Sequence, residues 1–160
     1  MLFRSKIMTL RPMTKRDSVS VGMLRSALEP IIATLRTKIQ AVYLNGSWST
    51  EWECKESDID LAILAEAKLS FEERSAIFRE VYRTFGGEKD IDVAELFHAN
   101  CVFSAQVVTK GERILMFDRG AAERFEMIAL AKYAHLNEER TGIIADIHRR
   151  GTIYPSGATA

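Results

Sequence analysis

Apolar residues recur along this chain with two different periods. From Ser18, the positions Val21, Leu24, Leu28, Ile31, Leu35 and Ile39 fall at three- and four-residue steps. That spacing predicts an amphipathic helix, kinked or divided at Pro30, where the ring removes a backbone donor. The run Ala41 to Leu44 is short and wholly apolar, as in a buried strand, and stops at Gly46-Ser47. A second apolar run, Leu61 to Leu64, opens on Asp58-Ile59-Asp60. Ser70-Phe71-Glu72-Glu73 has the form of a capping box, and Phe71, Ile77, Phe78, Val81, Tyr82 and Phe85 continue it as an apolar helical stripe ending at Gly86-Gly87. Asp90 to Leu96 alternates like a third strand, with Ile91 and Val93 on one face and Asp90 and Asp92 on the other. Asn100 to Lys110 predicts a short helix with Val102, Phe103, Val107 and Val108 inward, and Ile114 to Phe117 a short strand. Arg119 to His148 predicts a helix with Phe125, Ile128, Lys132 and Leu136 on one side and Gly142 as a weak point.

These elements predict an α/β fold: a small mixed β-sheet with helices packed mainly on one face, carboxylates open to solvent on the other, and a C-terminal helix. Residues 1–17 read as a loose arm, residues 18–149 as a single domain, and residues 150–160, with Pro155 and Gly157, as a frayed tail. A chain of 160 residues is large enough to bury a core without disulfide or metal staples. Basic and acidic residues balance at 22 each, so no strongly basic surface and no stable nucleic-acid binding are expected. Cys54 and Cys101 lie far apart, and His98, His135 and His148 form no zinc pattern. No apolar run approaches the roughly 18 residues of a membrane span. A reduced, cytoplasmic protein without membrane contact is the expectation.

The chemistry concentrates between Tyr43 and Leu64. Alternate residues of a strand share a face, so Asp58 and Asp60 project together while Ile59, Leu61 and Ile63 cover the other side. Two carboxylates this close repel unless a positive charge sits between them, and a hard divalent cation held by oxygen ligands is the usual answer. A Gly-Ser turn supplies free backbone N–H groups and a hydroxyl that suit a phosphate. Together they point to a metal–nucleotide site.

Gly46-Ser47, a ten-residue spacer and Asp58-Ile59-Asp60 resemble the signature of the polymerase-β-type nucleotidyltransferases, in particular the minimal nucleotidyltransferases (MNT). The resemblance implies that Asp58 and Asp60 hold Mg²⁺, with two ions expected, shared with ATP as substrate, and that Gly46 and Ser47 bind its phosphates. It places a third carboxylate in a pattern like Val-Asp-Leu-Val. Ile91-Asp92-Val93-Ala94 matches best, which makes Asp92 the candidate general base or third metal ligand and Asp90 the runner-up. Lys110 to Phe117 resembles the strand closing the MNT core, so the likeness spans about residues 19 to 117. Where the family commonly carries a basic residue and then a glycine, this chain reads Trp48-Ser49-Thr50-Glu51-Trp52-Glu53, which brings negative charge toward the triphosphate. Trp48 and Trp52 read as packing residues. Arg124-Phe125-Glu126 and Ala131-Lys132-Tyr133 resemble the family's C-terminal helix. A stand-alone MNT protein of this kind resembles the antitoxin half of MNT–HEPN toxin–antitoxin pairs, which transfers AMP to a tyrosine of the HEPN ribonuclease toxin. The alternatives are a non-enzymatic antitoxin acting by occlusion and a small-molecule enzyme like the aminoglycoside nucleotidyltransferases.

Overall fold

The structure, a computed structural model, describes residues 18–48 and 57–151. The expected arm over 1–17, the tail beyond Gly151, and Glu51, Trp52 and Cys54 fall outside them. In chain order the elements are α1 (Ser18–Ile32), β1 (Ile39–Asn45), β2 (Ile59–Ala65), α2 (Phe71–Thr84), β3 (Ile91–Glu95), α3 (Cys101–Lys110), β4 (Glu112–Met116) and α4 (Arg119–Arg150). The four strands form one sheet in the order β3-β2-β1-β4. β2 and β4 run antiparallel to β1, and β3 runs parallel to β2, with α2 as the crossover. The sheet is therefore mixed, as the pattern predicted.

Strand alternation sorts the core into two layers. Val42, Leu44, Ile59, Leu61 and Ile63 face α1 and α2, where Leu24, Leu28, Ile77 and Val81 close the larger core. Tyr43, Ala62, Leu64 and Leu96 face the other way and are covered by Val107 of α3 and Ala122 of α4. The second face is covered only in part. Asp58 and Asp92 remain exposed there, and Asp60 is half-buried.

Three local expectations are corrected. The first helix does not reach Ile39: it stops at Ile32, two residues after Pro30. Leu35 packs on the core from the connection, and Ile39 opens β1. Apolar spacing alone cannot separate a helix from the buried positions that follow it, whereas the missing donor at Pro30 weakens the last turn. In α2 only Ile77 and Val81 are buried, while Phe71, Phe78 and Tyr82 are exposed, the last two stacked with centroids 5.8 Å apart. α2 lies on α1 and β3 through one narrow face, so its apolar stripe is wider than the surface available to cover it. Val102 of α3 is likewise exposed.

The capping box at Ser70 forms as predicted: its hydroxyl accepts from the Glu73 N–H at 3.2 Å, and the Glu73 carboxylate accepts from the Ser70 N–H at 2.8 Å. Glu73 does more than cap. It also accepts from the Thr37 N–H at 2.7 Å and the Thr37 hydroxyl at 3.0 Å, tying α2 to the connection ahead of β1. The Thr37 backbone bond, followed by that from Ser70, holds the Glu73 carboxyl below its ordinary value of 4.5. A carboxyl lowered on folding adds stability above its unfolded pKa, and that stability is lost as pH falls through the lower folded value. Glu73→Ala is expected to destabilise by about 1–2 kcal/mol at pH 7. In urea unfolding the gap between Glu73→Gln and wild type should shrink below about pH 4.

α4 continues unbroken through Gly142 and ends at Arg150 on a left-handed Gly151 cap. Its 32 residues span about 48 Å. Only Ala122 and Ala129 of this helix are buried, so beyond Ala129 it leaves the sheet, and Ile143 (62% exposed) and Ile144 stand in solvent. Among the described residues no helix is long and apolar enough to cross a membrane.

Candidate active site

Strand register brings the predicted site residues to one edge of the partly open face. Asn45, the last residue of β1, lies opposite Asp60 in the antiparallel pair, and Asp60 lies beside Asp92 in the parallel pair. Directly opposed residues share a face, so Asn45, Asp60 and Asp92 form a row across three strands. Asp58 stands one residue before β2 and is exposed. Asp90, the runner-up to Asp92, lies just before β3, where its carbonyl accepts from the Ile59 N–H at 2.9 Å. That bond aligns β2 and β3 and sets the register that puts Asp92 beside Asp60.

Gly46 turns the chain out of β1 with φ +69°, a conformation that disfavours any side chain. Its lack of a Cβ matters further, because one built there would stand 2.4 Å from Asp60 Oδ2. The backbone of the Gly-Ser turn and the Asp60 carboxylate thus occupy one cradle. Ser47 follows, and its hydroxyl lies 2.9 Å from that of Ser57, two residues before β2. A third close approach supports the row from behind. A Cβ on Gly111 would meet the Val107 carbonyl oxygen at 2.5 Å and Asn45 Oδ1 at 2.9 Å, so the end of α3 can lie against the end of β1 only with glycine there. Asn45 and Ser57, both buried, and Gly111 are contributors that the motif alone did not single out. Asn45 and Ser57 abut motif residues, which was the sole signal available.

Two neighbours have supporting roles. Trp48 is buried and meets Phe85 edge-on with ring centroids 5.1 Å apart, so it is a packing residue, as read from its spacing. Tyr43, one layer below Asn45 on the same face, donates to Glu126 Oε1 at 2.9 Å, and Arg113 donates to the same oxygen at 2.7 Å. Burial, reinforced by the Glu126 carboxylate, pushes the Tyr43 phenol well above its ordinary range. It remains a donor near neutral pH and fastens α4 to β1.

The donor set is all oxygen, which suits a hard cation such as Mg²⁺ and not zinc or copper. Among the described residues no group of three His, Cys, Asp or Glu side chains is placed to hold a metal ion alone. A Mg²⁺ shared with a nucleotide does not require three, since one or two carboxylates plus phosphate oxygens and water complete its shell. Asp60, against the Gly46 turn, and Asp58, exposed two residues before it, fit that requirement.

A mixed sheet that sets a Gly-Ser turn against an Asp-x-Asp pair at the head of a strand is the arrangement of an enzyme of nucleotidyl transfer. The chain belongs to the polymerase β nucleotidyltransferase family: the family model "Polymerase beta, Nucleotidyltransferase" matches residues 29–119. It is 34% identical over 110 residues to the protein adenylyltransferase MntA of Shewanella oneidensis, a match covering 69% of this chain and 77% of that one. A solved toxin–antitoxin structure with AMP-PNP is similar at TM-score 0.63 and 29% identity, covering 78% of this chain and 98% of that one. A structure of a tri-AMPylated Shewanella oneidensis HEPN toxin with its MNT antitoxin is similar at TM-score 0.61 and 27% identity, covering 80% and 98%. The family inferred from Gly46-Ser47 and Asp58-Ile59-Asp60 is thus the family the chain belongs to, and its nucleotidyltransferase class follows.

Proposed function

We propose that this chain is the antitoxin of a cytoplasmic toxin–antitoxin pair and transfers AMP from ATP to a tyrosine of a HEPN ribonuclease toxin, with Mg²⁺ as cofactor. The observation that carries the reading is the Gly46 cradle, whose backbone lies where only a glycine can approach the Asp60 carboxylate. The relatives support it, since one is a protein adenylyltransferase and another is a complex with an AMPylated HEPN toxin.

In this reading Asp58 and Asp60 hold Mg²⁺, and the turn at Gly46 and Ser47 receives the phosphates. When bound, the ion offsets charge that gathers on the phosphate oxygens during transfer. The toxin tyrosine oxygen attacks the α-phosphorus, the bond from that phosphorus to the bridging oxygen breaks, and pyrophosphate leaves. Asp92, exposed beside Asp60, accepts the phenolic proton.

Incubating the purified protein with its toxin, Mg²⁺ and ATP, and weighing the intact toxin, tests the reading: each transfer adds one AMP mass. A thermal scan gives a second readout. Mg²⁺ with ATP is expected to raise the melting temperature, by mass action on the folded state. ATP with a chelator should raise it much less, and equal shifts would remove Asp58 and Asp60 as metal ligands.

A further inference from the structure

We propose that Ser57 is a positioning residue for the nucleotide: its hydroxyl donates to the Ser47 hydroxyl and thereby turns the Ser47 proton outward, toward the phosphates. The inference rests on Ser47 as a phosphate contact. It adds a residue that neither the Gly-Ser turn nor the Asp-x-Asp pair includes.

Ser47 and Ser57 lie 2.9 Å apart, oxygen to oxygen, and either can donate to the other in the free protein. A hydroxyl carries one proton and two lone pairs. Phosphate oxygens bearing negative charge can only accept, so a Ser47 bound to phosphate has spent its proton outward. Its contact with Ser57 then survives only if Ser57 is the donor. Ser57 is 5% exposed, next to the start of β2, whereas Ser47 is half-buried. The pair therefore joins a buried inner hydroxyl to an outer one that is open to the side where phosphates would bind. Donation from Ser57 also polarises the Ser47 hydroxyl and strengthens its outward bond.

Binding of Mg²⁺–ATP and of Mg²⁺–tripolyphosphate, followed by titration calorimetry, tests this directly. Ser57→Ala is expected to weaken both ligands by about three- to ten-fold, the size of one lost hydrogen bond. Ser57→Thr, which keeps the hydroxyl, should return affinity to within about two-fold of wild type. In a Ser47→Ala background, Ser57→Ala should change nothing, because the relay has lost its outer member. If Ser57→Ala does not fold, as read by its melting transition, Ser57→Cys supplies the same comparison with a weaker donor of similar size. An equal loss in both backgrounds would mean that Ser57 supports structure independently of Ser47, and would overturn the proposal. So would unchanged affinity in Ser57→Ala, or failure of Ser57→Thr to restore it. Absence of Mg²⁺–ATP binding by wild type would remove the nucleotidyl-transfer reading itself, a result distinct from these.

Discussion

Replacing Asp58 or Asp60 by Asn will reduce AMP transfer to the toxin by at least about 10²-fold, the scale of losing a main source of charge stabilisation in the transition state. The domain will stay folded. Asp58 is exposed just before β2, and Asp60 is half-buried at its head. Asp→Asn keeps the size and shape of the side chain, so both variants should fold, and the metal-free melting temperature of the exposed Asp58→Asn should hold. Wild type should leave a toxin that carries the added mass and stays inactive after separation, whereas toxin treated with Asp58→Asn should keep its mass and regain ribonuclease activity. If the Asp58→Asn protein neutralises the toxin as well as wild type, and activity returns on separation, the antitoxin acts by occlusion. Asp92→Asn should cause a loss comparable to the other two. A damaging Asp90→Asn with a harmless Asp92→Asn would reverse the roles given to those residues.

Gly46→Ala should be nearly as damaging to activity, by a different route. The new methyl carbon would stand 2.4 Å from Asp60 Oδ2, and the backbone there has φ +69°. The left-handed conformation alone costs about 1–2 kcal/mol for a residue with a side chain. Relief requires either the turn or the Asp60 carboxylate to move, and each displaces a group the reaction needs. Transfer is expected to fall by about 10²-fold or more, since a misplacement of about 1 Å can cost that much. Gly142→Ala is the control. A Cβ there meets nothing within 4 Å in the middle of α4, so the substitution should stabilise the helix by about 0.5–1 kcal/mol and leave transfer unchanged. Equal effects of the two glycines would mean that crowding against Asp60 is not what Gly46 prevents.

The contrast between those glycines marks where the sequence was readable. Local chemistry sufficed for the eight elements, because the period of apolar residues, the Ser70 capping box and the stops at Gly46, Gly86 and Gly111 act within a few residues. It also offers Gly46, Ser47, Asp58 and Asp60 as a candidate site, since a Gly-Ser turn followed by paired aspartates is a dense signal over a short span. Resemblance alone favours Asp92 over Asp90. The parallel register, pairing Asp60 with Asp92, supports that choice through contacts between strands more than thirty residues apart. Other features belong to the tertiary structure alone. An apolar stripe tells which side of a helix can be buried, but the extent of the neighbouring surface decides how much is, so Ile77 and Val81 went in while Phe71, Phe78 and Tyr82 stayed out. In the same way Leu35 and Ile39 continued the helical rhythm of α1 without belonging to it, because the chain leaves the helix after Pro30 and still has a core to fill. The meeting of Ser57 with Ser47, of Gly46 with Asp60 and of Gly111 with Asn45 depends on how chain ends converge across the sheet. Residue type and spacing determined what chemistry was available, and only packing between distant segments decided which groups stand close enough to share it.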